Sequence, residues 1–182
     1  MAENNTIRRP EHPDPCITII GMAGSGKSTL GRALATRLGY AFVDTDQLME
    51  SAYGAPLQAI TDALSGEEFL DLEGRFVGSL RMGKAVISTG GSVVYRDAAM
   101  QHLRSLGPVV ALDAPLNVIQ QRIALNPDRG LVIAKGQTIA DLYNERSALY
   151  NKYADIYCDT TQPLEACVES IARELEKRAN GN

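Results

Sequence analysis

The sequence predicts an α/β fold in which a five-stranded parallel sheet lies between helices on both faces, as a three-layer sandwich. Short apolar runs alternate along the chain with longer segments of helical periodicity, the pattern of parallel strands joined by crossover helices. These apolar runs are continuous, as in strands that are buried on both faces. Chemically active side chains follow several of the runs, and ligands of such sheets bind beyond the carboxyl ends of the strands.

The first half of the chain contains three predicted strands. After a polar tail with three prolines, predicted to be flexible over residues 1–15, the run CITII (16–20) predicts the first strand. A helix with leucines at helical spacing follows and ends at Gly39. YAFVDTD predicts a second strand that ends in acids. Residues 56–82 predict one or two helices interrupted near Ser65, and KAVISTGG predicts the third strand.

The second half repeats the alternation and completes the sheet. RDAAMQHLRSLG predicts a helix, PVVALDAP the fourth strand and PLNVIQQRIA another helix. The stretch around residues 126–137 has no period and predicts a mobile loop. A helix, the strand DIYCDTT and an amphipathic closing helix follow. We find no linker or internal repeat, so residues 16–182 are expected to form a single domain.

Composition and charge narrow the classes of partner. Charged residues make up 22% of the 182 residues and the net charge is −4, so we expect neither a nucleic acid nor a membrane as partner. No apolar run reaches the roughly 18 residues that would span a bilayer. The three cysteines have no CxxC spacing and are expected to be reduced structural thiols. We therefore expect a cytoplasmic protein.

The run GMAGSGKST (21–29) follows the first predicted strand and opens a helix. Gly21, Gly26, Lys27 and Ser28 fit the P-loop pattern GxxxxGK[ST], in which backbone amides cradle phosphates. Lys27 would bridge the β- and γ-phosphates, and the Ser28 hydroxyl would hold Mg²⁺. The run therefore predicts a nucleoside triphosphate site. It leaves the reaction open, because GTPases, motor ATPases, nucleotide kinases and metabolite kinases all use this loop.

Two acids follow the second predicted strand. Asp44 and Asp46 would lie on the same side of the chain if the strand geometry persisted. One carboxylate could then hold Mg²⁺, and the other could orient or deprotonate an acceptor hydroxyl. The alternative is an Asx turn or a helix N-cap at the end of the strand.

Glycines and arginines complete the candidate site. Gly90 and Gly91 follow the third predicted strand, where they would either let a ligand approach the backbone or form an ordinary turn. Arg122, Arg129 and Arg146 come late in the chain, around the predicted loop. Three arginines beside a triphosphate site favour a functional interpretation over solvated surface positions.

The segments GMAGSGKSTLGRALATRLGYAFVDTDQLME, GEEFLDLE, VISTGG and ERSALYNKYAD together resemble the shikimate kinase family, within the nucleoside-monophosphate-kinase-like P-loop fold. The resemblance covers about residues 16–171. It implies an ATP- and Mg²⁺-dependent kinase that phosphorylates a hydroxyl of a small carboxylate-bearing metabolite. It also implies a monomeric enzyme of amino-acid biosynthesis.

The resemblance assigns roles to individual residues. Lys27 would contact the transferred phosphate, Ser28 and Asp44 would hold the metal, and Arg129 would close over the phosphates from a lid at 126–137. On the acceptor side, Asp46 would bond the reacting hydroxyl, Gly90 and Gly91 would offer backbone amides, and Arg146 would grip the carboxylate. The implied nucleotide-binding residues are Gly24, Ser25, Gly26, Lys27, Ser28, Thr29, Arg122, Arg129 and Pro163.

The acceptor half departs from the family pattern. Leu70 stands where the family's GExxFRxxE has a carboxylate-binding arginine, and Ser92 replaces a third glycine. The lid reads DRGLV where the family has RPLL. These changes leave open another acceptor, such as homoserine or another hydroxy acid, or gluconate. Two further alternatives are a nucleoside-monophosphate kinase and a nucleotide-binding regulator without transfer activity.

Overall fold

The computed structural model describes residues 14–125 and 136–181. Five strands form one parallel sheet, as predicted, and their spatial order is β2-β3-β1-β4-β5. All five residues of the central strand β1 are buried, which explains its continuous apolar sequence. The strands are β1 (Ile17–Gly21), β2 (Ala41–Asp44), β3 (Ala85–Ser88), β4 (Val109–Asp113) and β5 (Ile156–Asp159).

Eight α-helices and one 3₁₀ helix connect the strands within the described residues. The interruption predicted near Ser65 is confirmed, because Ser65 caps the fourth helix in a capping box with Glu68. The second α-helix and the 3₁₀ helix (Val93–Tyr95) were not predicted. The α-helices are α1 (Lys27–Leu38), α2 (Thr45–Tyr53), α3 (Leu57–Asp62), α4 (Gly66–Gly78), α5 (Asp97–Leu106), α6 (Leu116–Ala124), α7 (Ile139–Tyr153) and α8 (Leu164–Asn180).

The helices cover both faces of the sheet. On one face, Leu34 of α1 and Ile171 of α8 pack with Ile19 of β1 in one buried cluster. On the other face, Met100 of α5 and Leu142 of α7 pack in a second cluster with α4 and the remaining strand side chains. The predicted three-layer sandwich is therefore confirmed.

Two predictions about the chain's irregular segments fall largely outside the described residues. Residues 1–13 of the expected tail and residues 126–135 of the expected lid are not described. Asp14 is described, and its backbone carbonyl accepts a hydrogen bond from the Lys84 amide at 2.8 Å. Within the two described ranges, every helix is too short or too polar to cross a lipid bilayer.

Candidate active site

The P-loop joins β1 to α1 at the carboxyl edge of the sheet. Gly24 and Gly26 have φ angles of +79° and +95°, a left-handed conformation that favours glycine. A Cβ atom on Gly26 would meet no neighbour within 4 Å, so glycine is needed there for backbone conformation and the space beside it is open. Helix α1 begins at Lys27, and the positive end of its dipole therefore faces this space.

Lys27 lies across the loop. Its side chain is buried, and its ammonium donates hydrogen bonds to the carbonyl oxygens of Gly21 and Met22, both at 2.8 Å. The next residue, Ser28, donates from its hydroxyl to Asp44 Oδ2 at 3.0 Å. The loop thus presents an ammonium group and a hydroxyl–carboxylate pair side by side, as a magnesium triphosphate requires.

Only the first of the two predicted acids belongs to strand β2. Asp44 ends β2 and caps α2, where its Oδ1 accepts hydrogen bonds from the amides of Asp46 and Gln47. Asp46 therefore lies in the first turn of a helix. The predicted strand alternation was wrong at this point, because side-chain capping ends the extended conformation. The structure nevertheless brings both acids to one cavity.

A first cavity of about 390 Å³ lies on one side of the P-loop. Arg122 reaches into its wall and donates to the carbonyl of Thr160 at 2.7 Å and to the Thr160 hydroxyl at 3.1 Å. Pro163 itself is exposed and does not line this cavity, whereas its neighbours Gln162 and Leu164 do. Its lining includes five predicted nucleotide-binding residues, Gly24, Ser25, Gly26, Thr29 and Arg122.

A second cavity of about 340 Å³ lies on the other side of the same loop. Glu50 Oε1 accepts a hydrogen bond from the Leu57 amide at 2.8 Å, which fixes the turn between α2 and α3 in its wall. Both cavities include Ala23, so the P-loop separates them. The predicted residues that line the second cavity are Lys27, Ser28, Asp44, Asp46 and Gly91.

Arg146 lies directly behind this wall. It is only 4% exposed, and its Nε donates to the Tyr95 hydroxyl at 3.4 Å. A Cβ atom on Gly91 would lie 3.0 Å from Arg146 Nη1, so glycine at 91 leaves room for the guanidinium. The Tyr150 hydroxyl donates to the Gly91 carbonyl at 2.9 Å and holds this turn in place.

Gly90 lies where two carboxylates meet. Its amide donates to the Thr45 hydroxyl at 3.3 Å, so this N–H group is bound within the protein, whereas Gly91 lines the second cavity. A Cβ atom on Gly90 would overlap Glu73 Oε1 and lie 3.0 Å from Asp46 Oδ1. Glycine at this position therefore permits the close approach of both acids.

Glu73 of α4 is a buried acid that sequence analysis did not single out. It is 1% exposed, and its Oε2 accepts a hydrogen bond from the Ser92 hydroxyl at 2.7 Å. Burial is the largest cause that raises the pKa of Glu73 to about 7, opposed by the hydrogen bond from Ser92. The acid that ends the family's GExxFRxxE pattern was the one available signal for this residue.

The donor set of this site fits Mg²⁺ and a triphosphate. Ser28 and Asp44 supply hard oxygen ligands 3.0 Å apart, and magnesium completes its shell with water and phosphate oxygens. Among the described residues, no group of three or more His, Cys, Asp or Glu side chains could hold a metal. Arg129, the predicted lid arginine, lies outside the described residues.

Comparisons with known proteins agree with this geometry. The family model described as shikimate kinase matches residues 23–176. A shikimate kinase of Thermodesulfovibrio yellowstonii is 35% identical over 170 residues, which cover 91% of this chain and 97% of that protein. One of Moorella thermoacetica is 37% identical over 164 residues, or 88% of this chain and 92% of that protein.

A solved structure gives the same result. The shikimate kinase of Acinetobacter baumannii in complex with shikimate superposes with a TM-score of 0.79 at 28% identity, and the match covers 93% of this chain and 94% of that one. A gluconokinase from Sinorhizobium meliloti, at 20% identity and a TM-score of 0.52, shares the fold alone. The P-loop, the two cavities and these matches together place the chain in the shikimate kinase family.

Proposed function

We propose that this protein transfers the γ-phosphoryl group of ATP to a hydroxyl of shikimate, with Mg²⁺ as the metal. The observation that carries the proposal is that the P-loop forms a wall of both cavities, so that each opens onto one side of the same phosphate cradle. Cavities of 300 Å³ or more suit small-molecule ligands. ATP would fill the first cavity, and the acceptor would fill the second.

The residues of the P-loop supply the donor half of the reaction. The loop amides and the N-terminus of α1 would bind the phosphates, and Lys27 would move from the loop carbonyls to the transferred group. Ser28 and Asp44 would hold the metal, whose charge offsets that of the phosphates. Arg122 is held by Thr160 in the wall of the first cavity, where it would lie against the adenine.

The residues after β2 and β3 supply the acceptor half. Asp46 lines the second cavity beside Lys27, where its carboxylate would accept the proton of the attacking hydroxyl or orient it. Gly91 would offer its backbone, and Arg146 would bind the acceptor carboxylate after a small movement out of its buried position. Positioning and charge neutralisation account for most of the catalysis expected of such a site.

A second candidate is a related kinase with a different small hydroxy acid as acceptor. The observation that favours it is Leu70, which is half buried on α4 and offers no hydrogen-bond donor where the family has an arginine. Arg75 does not replace it, because its side chain is exposed. Without one charge-assisted hydrogen bond, the binding of an acceptor carboxylate is weaker by about 1.5–3 kcal/mol.

The setting of the activity is part of the same proposal. We infer a monomeric enzyme of amino-acid biosynthesis in the cytoplasm, with no nucleic acid or membrane as partner. The three free, buried thiols suit a reducing compartment. A lid at 126–137 carrying Arg129 would close over the phosphates.

A steady-state assay with a panel of acceptors tests the proposal. ATP and Mg²⁺ are held at saturation, and ADP release is measured with shikimate, homoserine, gluconate and a nucleoside monophosphate. We expect kcat/KM for shikimate of about 10⁴ M⁻¹s⁻¹ or more and much lower values for the others. The Asp46→Asn variant should bind ATP normally but lose about 100-fold in shikimate turnover. Faster turnover of another hydroxy acid would establish the second candidate.

A further inference from the structure

Ser92 makes a contact that lies behind the acceptor side of the site. Its hydroxyl donates to Glu73 Oε2 at 2.7 Å, with Ser92 4% exposed and Glu73 1% exposed. The contact joins the turn after β3 to helix α4, nineteen residues earlier in the chain. Because both groups are shielded from water, loss of the hydroxyl leaves a buried carboxylate oxygen without this partner.

The other oxygen of Glu73 faces the acceptor side. Oε1 lies close to Gly90, as does Asp46 Oδ1, so the two acids approach this glycine together. The charged and titratable groups around Glu73 come from three helices. They are Asp46 of α2, Lys27 of α1, and Arg146 and Tyr150 of α7.

We propose that Ser92 is a positioning residue, whose hydroxyl anchors the buried Glu73 carboxylate beside Asp46 and Arg146 and thereby sets the arrangement of the acceptor site. The inference rests on the proposed function, because it assigns Asp46 and Arg146 to the acceptor. Ser92 itself touches no substrate. It acts through Glu73, and this is a feature of the present chain, since the family pattern has glycine at that position.

The charge state of Glu73 connects this contact to activity. Burial and the nearby Asp46 raise its pKa, whereas the hydrogen bond from Ser92 and the charges of Arg146 and Lys27 lower it. The ionised form is the one that balances Arg146 electrostatically. Removal of the Ser92 hydroxyl therefore raises the pKa of Glu73 further. The protonated, neutral Glu73 that results no longer offsets the positive charge of Arg146.

The pH dependence of activity separates this role from a purely structural one. In the wild-type protein, kcat/KM for shikimate should fall below about pH 7, the pKa of Glu73. In Ser92→Ala this acidic limb should move up by about one pH unit, so that kcat/KM at pH 6 drops about tenfold. The loss should appear with shikimate and leave the KM for ATP unchanged.

Two variants control the measurement. Ser92→Thr keeps a hydroxyl and should restore the wild-type acidic limb. Ser79→Ala removes another serine hydrogen bond, to the Phe76 carbonyl at the exposed end of α4, and should leave the limb in place. An acidic limb in Ser92→Ala that coincides with the wild-type limb would overturn the proposal, even if the variant were less stable.

A spectroscopic titration of Glu73 tests the role of Ser92 without measuring activity, and so independently of the proposed function. Carbon-13 labelling of glutamate carboxyls lets the Glu73 resonance be followed against pH, with Glu73→Gln identifying the signal. We expect a higher titration midpoint in Ser92→Ala than in wild type. An inactive wild type with this shift would refute only the proposed function. An active wild type without the shift would refute only the role of Ser92.

Discussion

The Ser28 hydroxyl donates a hydrogen bond to Asp44 Oδ2 at 3.0 Å, which links the first turn of α1 to the end of β2. The other oxygen of the same carboxylate caps α2 through the amides of Asp46 and Gln47. Oδ1 of Asp44 thus stabilises the start of α2, whereas Oδ2 faces the Ser28 hydroxyl at the P-loop. A single side chain therefore links the Ser28 hydroxyl, where we propose that the metal binds, to the position of Asp46.

The Asp44→Asn substitution separates the capping of α2 from the proposed binding of the metal. Asparagine caps helices as well as aspartate, so the free energy of unfolding should stay close to the wild-type value. The negative charge beside Ser28 is lost, and the Mg²⁺ concentration for half-maximal rate should rise about 10- to 100-fold. Rates measured against Mg²⁺ at saturating ATP check this. Asp71→Asn, which alters an exposed pair with Arg96, is the control and should leave the magnesium requirement unchanged.

Lys27→Met tests the phosphate cradle. Methionine keeps the apolar stem of the side chain but removes the ammonium that donates to Gly21 and Met22. Since this charge would stabilise the transferred phosphoryl group, we expect kcat to fall about 100- to 1,000-fold. Lys177→Met, on the exposed face of α8, is the matched control. Near-normal turnover of Lys27→Met would contradict the assignment of the P-loop lysine.

The P-loop and the five parallel strands could be predicted from sequence because their signals are local, whereas the spatial order of the strands was not predicted. Glycines at Gly24 and Gly26 encode backbone conformation directly, and continuous apolar runs encode burial. Helix α2 was missed because one capping side chain, Asp44, ends the strand two residues earlier than the pattern DTD suggests. The sequence DTD is compatible both with a strand that continues and with a helix that Asp44 caps. In the structure Asp44 caps the helix and also accepts a hydrogen bond from Ser28.

The buried acid of the site could not be assigned from sequence. Glu73 meets Ser92 and approaches Gly90 only because α4 packs beside the turn after β3. No spacing along the chain encodes such a contact. The same holds for Arg122 and Thr160, which lie 38 residues apart. Sequence therefore predicted the residues that line the two cavities better than the buried residues behind them.

Leu70→Arg tests the acceptor side. If Arg146 alone binds the shikimate carboxylate, an arginine at position 70 would supply a second cation for it. The KM for shikimate should then fall about 10- to 100-fold, because a charge-assisted hydrogen bond contributes about 1.5–3 kcal/mol. Leu70→Gln, of similar size without the charge, is the control. The KM for ATP should stay constant in both variants. An unchanged KM for shikimate in Leu70→Arg would place Leu70 away from the acceptor carboxylate.

Gly90→Ala tests the close approach of the two acids. The added methyl group would overlap Glu73 Oε1 and press on Asp46 Oδ1, so the buried carboxylates must move apart. We expect a loss of about 1–3 kcal/mol in the free energy of unfolding together with reduced shikimate turnover, both measured at pH 7.

Gly78→Ala is the matched control for this substitution. A Cβ atom on Gly78, at the end of α4, meets no neighbour within 4 Å. Alanine favours the helix there, and the variant should gain up to about 1 kcal/mol. Equal stabilities of Gly90→Ala and the wild type in urea would show that the space around Gly90 is wider than described.

Glu73→Gln tests the buried acid through the pH dependence of stability. The pKa of Glu73 is about 7 in the folded protein against an ordinary value of 4.5, so the folded state binds the proton more tightly than the unfolded chain. The stabilisation from this proton is complete below pH 4.5 and is lost as the pH rises to 7. The free energy of unfolding should therefore fall by about 3 kcal/mol between pH 4.5 and 7.

Glutamine carries no titratable proton, so the variant should lack this loss. Urea unfolding at a series of pH values should show the wild-type curve falling relative to the Glu73→Gln curve between pH 4.5 and 7, then running parallel to it. Glu165→Gln removes an exposed carboxylate from α8 and should track the wild type throughout. Parallel curves for Glu73→Gln and wild type across the whole range would mean that Glu73 titrates as an ordinary surface acid.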